Sequence, residues 1–128
     1  MRYLGIDYGT KRIGLAVSSE GIAFPHGVLE NDRHVVLSLK ETVNKERIEK
    51  IIIGDTRTFG GHENQITKEV EMFTEKIRNE IGIPVVLANE AGSSIEASRY
   101  APGEEKHDDA AAAVILQRYL DMHGSATL

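Results

Sequence analysis

The start of the chain constrains the fold most strongly, because it holds two short apolar strands separated by a glycine-containing turn. The strands are expected at 3–7 and 13–18, both rich in Ile, Leu and Val, with Lys11 and Arg12 at the tip between them. This pattern predicts a β-hairpin. Asp7 stands out in it, since a carboxylate on an apolar strand is costly to desolvate without a positive or hydrogen-bonding partner.

Asp7 has two interpretations on this evidence. A bound metal ion would compensate its charge. Alternatively, an Asp shortly before a glycine often only forms a turn, with its carboxylate accepting hydrogen bonds from backbone N–H groups two residues on. Lys11 and Arg12 would then be an ordinary solvated loop tip. Evidence from the rest of the chain is needed to distinguish a metal ligand from a turn-forming residue.

Composition indicates an ordinary globular protein. The 128 residues are 41% hydrophobic and 27% charged, which predicts one domain over 1–124 followed by a short tail at 125–128. The absence of cysteine excludes disulfides and thiolate metal sites. We find neither a signal-peptide pattern nor an apolar run of membrane-spanning length, and therefore expect a cytoplasmic protein without membrane contact.

The charge balance is acidic, with 15 Lys and Arg against 20 Asp and Glu and a net charge of -5. This argues against a protein that binds nucleic acid by covering its phosphates with cations alone. It does not exclude a protein whose acids surround metal ions, because divalent cations supply positive charge of their own.

The elements after the hairpin are predicted from apolar periodicity and from turn residues. A third strand over 21–30 contains Pro25 and should form an edge of the sheet, because proline cannot donate to the ladder. The continuous apolar run at 50–54 is typical of a strand buried on both faces. A last strand is expected at 84–89.

Helices should alternate with the later strands. The first is expected to run from an N-cap at Asn31 or Asp32 to about Lys45, with Val35, Val36, Leu39 and Val43 on its buried stripe. The others are predicted at 64–81, ended by Gly82, then briefly after a capping box that begins at Ser93, and finally from Asp108 or Asp109 to about His123. Three antiparallel strands followed by alternating helices and strands predict an α/β fold with a five-stranded mixed sheet flanked by helices.

Five acids lie at strand ends and helix starts, where open α/β sheets usually have their active sites. They are Asp7, Asp55, Glu90, Asp108 and Asp109. Mg²⁺ takes carboxylate oxygens, water and phosphate as ligands, and paired ions about 3.5–4 Å apart stabilise the attacking and leaving oxygens of a phosphoryl displacement. Acids that converge from separate elements suit that chemistry.

Each of these acids also has an ordinary structural explanation. Asp108 or Asp109 can simply cap a helix, Glu90 can be a solvated loop residue, and Asp55 can form an Asx-turn. The alanines at 110–113 would let the last helix lie close to the sheet and bring Asp109 near Asp7. The same run can equally reflect the high helix propensity of alanine.

With these residues assembled, the chain resembles the pre-16S ribosomal RNA nuclease family, also described as candidate Holliday-junction resolvases, which has an RNase H-like fold. The most specific part is Gly5-Ile-Asp-Tyr-Gly-Thr-Lys-Arg-Ile-Gly14 followed by Leu-Ala-Val. Further matching segments are Ile51-Ile-Ile-Gly54 with Gly61 and Glu63, Glu90 with Glu96-Ala97, and Lys106 with Asp109 and Ala-Val-Ile-Leu.

The resemblance implies a metal-dependent endonuclease of the two-metal type that acts on structured RNA or branched DNA. It assigns Asp7, Glu90 and Asp109 as catalytic, metal-binding acids for Mg²⁺ or Mn²⁺, and Lys11 and Arg12 as contacts to the substrate backbone. Precursor 16S rRNA processing and Holliday-junction resolution are the two activities implied. The protein could act as a monomer or a homodimer.

The chain departs from the family pattern in two places. Asn89-Glu90-Ala91 keeps only the Glu of an Asp-Glu-Arg triplet, and Gly54-Asp55-Thr56 replaces Gly-Leu-Pro. Asp55 or Asp108 could be an additional ligand. A nucleic-acid-binding module of the same fold with weak or no catalysis is therefore the alternative, and an ATP-dependent protein of the actin and sugar-kinase type ranks third.

Overall fold

The computed structural model describes residues 2–55, 65–89 and 108–124. The strands in these ranges are β1 (Tyr3–Asp7), β2 (Arg12–Ser19), β3 (Ile22–Glu30), β4 (Lys50–Asp55) and β5 (Val85–Asn89). The helices are α1 (Val35–Glu46), α2 (Gln65–Ile81) and α3 (Asp108–Tyr119), and α3 continues into a π-helical turn at Leu120–Gly124. The brief helix predicted after Ser93 lies outside the described residues.

The five strands form one mixed sheet in the order β3-β2-β1-β4-β5. The first three strands are antiparallel neighbours, while β1, β4 and β5 run parallel. The predicted α/β class and mixed sheet are thus confirmed, as is the edge position of the strand that contains Pro25. Because β1, β4 and β5 are parallel, their carboxyl ends meet at the same edge of the sheet.

The two faces of the sheet carry separate cores. On one face α1 and α2 cover large aliphatic residues, and all four predicted stripe residues of α1 are buried. On the other face α3 covers a smaller cluster of Ala16, Ile52, Ala112, Ile115, Leu116 and Leu120. Neighbouring isoleucines of β4 alternate between the two: Ile51 and Ile53 belong to the first core and Ile52 to the second, each with 0% exposure. The prediction of a strand buried on both faces is confirmed.

Helix α1 begins at Val35, later than the predicted N-cap at Asn31 or Asp32. The physical reason is a turn around Asp32. Its carboxylate accepts a hydrogen bond from the His34 N–H at 2.9 Å, and its carbonyl accepts one from the Val35 N–H at 3.1 Å. Acceptance from the N–H two residues on is also how an aspartate caps a helix, but the Asp32 carbonyl bonds to the third residue on rather than the fourth, so this first turn is tighter than α-helical and α1 begins after it.

The other helix ends follow the expected signals more closely. Gly82, directly after α2, has φ +84°, the left-handed conformation that a C′ glycine adopts. The final helix reaches Gly124 as predicted to within one residue, but its last turn is π-helical. No helix within the described ranges is long and apolar enough to cross a membrane.

The outer edge of β3 is partly closed by α3. The Gln117 side chain accepts a hydrogen bond from the Ala23 N–H at 2.8 Å and donates to the Gly21 carbonyl at 3.1 Å. It also donates to the Asp121 carboxylate at 3.1 Å. Two residues beyond Ala23, on the same side of the strand, Pro25 has no N–H to offer.

Candidate active site

The closest approach between α3 and the sheet occurs at Gly5 in the middle of β1. A Cβ atom on Gly5 would lie 2.7 Å from the Leu116 Cβ and 3.0 Å from the Ala112 carbonyl oxygen. Ala112 itself is fully buried. Only glycine therefore allows the helix to sit at this depth, and close packing of the alanine-rich turn is confirmed.

The direction of α3 follows from a second contact at the other end of β1. The rings of Tyr3 and Tyr119 lie 6.1 Å apart in an edge-to-face arrangement. Tyr3, at the start of β1, thus contacts Tyr119 at the end of α3. Gly5, further along β1, contacts Ala112 and Leu116, which come earlier in α3. The helix runs antiparallel to the strand, and its first turn lies at the carboxyl end of β1.

This arrangement puts Asp7 and Asp109 at the same end of the contact between β1 and α3. Asp7 is two residues beyond Gly5, so its side chain leaves the strand on the face that α3 covers. Asp109 precedes Ala112 by three residues, so both side chains lie on one side of the helix. Both carboxylates are half-buried. A carboxylate that loses part of its hydration is stabilised by nearby hydrogen-bond donors or cations.

The remaining predicted acids follow the two neighbouring parallel strands. Asp55 ends β4 and is paired with Asn89 at the end of β5, at the same sheet edge as Asp7. Glu90 is the next residue in sequence but lies outside the described residues, as do the side chains of Asp55 and Asp108. The described side chains contain no group of three His, Asp or Glu that could hold a metal ion. Glu90 as a third ligand therefore stays a prediction.

The turn between β1 and β2 carries the predicted substrate contacts. Lys11 and Arg12 are both exposed at the tip of the hairpin. Within the turn, a side chain at Gly9 would collide with the Arg12 carbonyl oxygen, so the tight conformation needs glycine. Tyr8, between Asp7 and the turn, packs its ring against that of Phe73 with the centroids 5.0 Å apart. The residue after Asp7 is thus anchored in the first core.

The same turn is held from the end of β3 by Asn31. Its side-chain amide donates to the Gly9 carbonyl at 2.8 Å, and its backbone N–H donates to the Lys11 carbonyl at 2.9 Å. The sequence pattern indicated Asn31 only as a possible helix cap and gave Gly5 no packing role. Both contacts join residues far apart in sequence, and no local periodicity or spacing reports such contacts.

The chain matches known proteins over nearly its whole length. A profile of the RuvX family, described as Holliday junction resolvase, matches residues 1–122. A relative from Dictyoglomus turgidum is 32% identical over 133 residues, which cover 94% of each chain. One from Xylella fastidiosa is 37% identical over 132 residues, which cover 91% of this chain and 85% of the relative. Both are named as candidate pre-16S rRNA nucleases.

Solved structures share the architecture at lower sequence identity. RuvC of T. thermophilus, solved with a Holliday junction substrate, gives a TM-score of 0.63 at 16% identity and covers 97% of this chain and 96% of its own. The Fowlpox virus resolvase, solved with Holliday junction DNA, gives 0.57 at 14% identity and covers 95% and 98%. These likenesses concern the fold, which is RNase H-like. From the profile match and the sequence relatives, the chain belongs to the RuvX Holliday junction resolvase family.

Proposed function

We propose that this protein is a divalent-metal-dependent endonuclease that hydrolyses phosphodiester bonds in structured nucleic acid. The observation that carries the proposal is the contact of α3 with β1 at Gly5, which leaves Asp7 and Asp109 at the same end of that contact. The names of the relatives make precursor 16S rRNA the first substrate to test and a four-way DNA junction the second. Either substrate would place the protein in the cytoplasm.

The chemistry of the acids fits Mg²⁺ or Mn²⁺. These are hard cations that prefer carboxylate oxygens, and Asp7 and Asp109 present such oxygens from two separate elements. Glu90, directly after β5, would supply the third carboxylate. When bound as a pair, such ions activate water for in-line attack and stabilise the leaving oxygen.

The chain's own contribution would be to hold these carboxylates in fixed positions. Strand β1 lies at the centre of the sheet between β2 and β4, so Asp7 ends a strand that is hydrogen-bonded on both sides. Asp109 is carried by a helix seated against the same strand. Lys11 and Arg12, on the turn that follows Asp7, would contact the phosphates that flank the scissile bond.

The test is cleavage of end-labelled precursor 16S rRNA and of a four-way DNA junction in Mn²⁺, Mg²⁺ or EDTA. We expect metal-dependent cleavage that falls by at least about 100-fold in Asp7→Asn and in Asp109→Asn, because each variant removes a charged ligand. Thermal unfolding without metal should show that both variants remain folded. Glu41→Gln is the matched control, since Glu41 is exposed on α1, on the opposite face of the sheet.

The outcomes separate the proposal from the alternative of a binding module. Cleavage that survives EDTA or persists in both aspartate variants would contradict the proposed site. Absence of cleavage, combined with substrate binding in EDTA that Asp7→Asn leaves unchanged, would instead establish a nucleic-acid-binding protein of the same fold.

A further inference from the structure

The turn that carries Lys11 and Arg12 is held in place by a residue outside the hairpin. Asn31 directly follows β3 and makes two hydrogen bonds to this turn, one from its side chain to the Gly9 carbonyl and one from its backbone to the Lys11 carbonyl. The side-chain bond spans 22 positions in sequence and is partly buried. Asn31 therefore joins the far end of the third strand to the turn after Asp7.

The hydrogen bonds have an electrostatic consequence for the turn. A loop that meets a phosphate has to keep its carbonyl oxygens, which carry partial negative charge, away from the anion. Asn31 takes the carbonyls of Gly9 and Lys11 as its acceptors, so their negative ends point towards Asn31. The exposed Lys11 and Arg12 side chains are thus attached to a backbone whose conformation is fixed by these hydrogen bonds before any ligand binds.

From this geometry we propose that Asn31 is a positioning residue for nucleic-acid binding, holding the turn at 9–12 so that Lys11 and Arg12 engage the substrate backbone together. This inference rests on the proposed function. It gives Asn31 no direct contact with the substrate. Preorganisation of this kind strengthens binding by lowering the conformational entropy lost when the loop meets its ligand.

The experiment measures equilibrium binding of a labelled four-way DNA junction and a precursor 16S rRNA fragment in EDTA, with cleavage rates measured separately in Mn²⁺. We expect Asn31→Ala to weaken binding by about three- to tenfold, the range for losing one hydrogen bond to a neutral partner. The maximal cleavage rate at saturating substrate should be unchanged. Asn79→Ala, at an exposed position on α2, is the matched control.

Salt dependence distinguishes positioning from a merely structural role. If Asn31 acts through the cations, Asn31→Ala should flatten the plot of log binding constant against log salt concentration by about one phosphate contact. Its effect should also shrink in a Lys11→Ala, Arg12→Ala background, because the groups that it positions are then absent. A lower thermal midpoint with normal affinity and normal salt slope would overturn the inference.

The outcomes for the inference and for the proposed function are separable. If the wild-type protein binds a substrate while Asn31→Ala binds it equally well, the inference fails and the nuclease proposal stands. If the wild-type protein neither binds nor cleaves either substrate, both fail together. An equal effect of Asn31→Ala in the presence and absence of the two cations would also contradict positioning.

Discussion

The two faces of the sheet are built on different principles. The face under α1 and α2 is filled by large aliphatic side chains from strands and helices, as in an ordinary hydrophobic core. The face under α3 has a glycine and two alanines at or beside its closest contact, and the helix backbone reaches the strand there. Large side chains stabilise the fold by apolar burial. Small ones allow a short and well-defined distance between the backbones of α3 and β1.

Stability and the geometry of the proposed site therefore depend on different faces of the sheet. The core under α1 and α2, which is filled by large side chains, should tolerate exchange among apolar residues of similar volume. The contact at Gly5 has less freedom, because the two atoms that a side chain there would meet first, the Leu116 Cβ and the Ala112 carbonyl oxygen, are fixed by the helix backbone. The proposed acids lie beyond the second kind of contact, so their spacing depends on residues that contribute little apolar area.

The largest expected effect comes from neighbouring residues of β4 that point to opposite faces. Ile51→Ala and Ile52→Ala should each lower the free energy of unfolding by about 2–5 kcal/mol, since each removes a fully buried side chain. Denaturant unfolding measures this. Under conditions in which both variants are folded, Ile52→Ala should also slow cleavage, because its cavity lies beneath α3. Ile51→Ala should cleave at the normal rate. Equal cleavage rates in the two variants would contradict a separate role of the α3 face in activity.

A smaller loss of stability with a larger loss of activity is expected for Gly5→Ala. The added methyl group would meet Leu116 and the Ala112 carbonyl, so α3 must shift, at a cost of about 1–3 kcal/mol. A displaced helix would move Asp109 away from Asp7 and slow metal-dependent cleavage. Gly82→Ala, directly after α2 on the other face of the sheet, is the control: with φ +84° and no atom within 4 Å of the added group, it should lose stability without losing activity.

The smallest effect is expected at the far end of the same helix contact. The Lys50 ammonium donates to the Tyr119 hydroxyl at 3.2 Å and lies 5.6 Å and 5.7 Å from the centroids of the Tyr3 and Tyr119 rings. Lys50→Met should lower the free energy of unfolding by about 0.5–1 kcal/mol and leave cleavage unchanged. Lys40→Met, at an exposed position of α1, should change neither quantity.

Much of the fold could be predicted because its signals are local. The apolar run at 50–54, the stripe of α1 and Gly82 each report their structure through neighbouring residues. The start of α1 was predicted too early because Asp32 can satisfy a turn as well as a helix. The pairing of β2 with β3 shifts register between Gly14 and Ala16, opposite a part of β3 that contains Gly27 at φ +99°. A glycine inside a strand is a local sign of a bulge, but the strand prediction rested on apolar residues and on Pro25 and did not use it.

The candidate site was predictable only in part. Its acids could be selected because they follow strands or begin a helix, and the alanine run indicated close packing. The point of contact at Gly5 and the role of Asn31 depend on pairs of distant residues that only the folded chain brings together. Glu90 stays a prediction from the sequence.

The hydrogen bonds between Gln117 of α3 and the edge strand β3 also bear on how copies of the chain associate. An open sheet edge can pair with a strand of another molecule, and β3 also exposes Ile22 and Phe24 at 53% and 52%. Gln117 occupies the Ala23 N–H and Pro25 has none, so this part of the edge offers fewer donors to an incoming strand. Through Gln117, the helix whose depth depends on Gly5 therefore also limits pairing of this edge with a strand of another molecule.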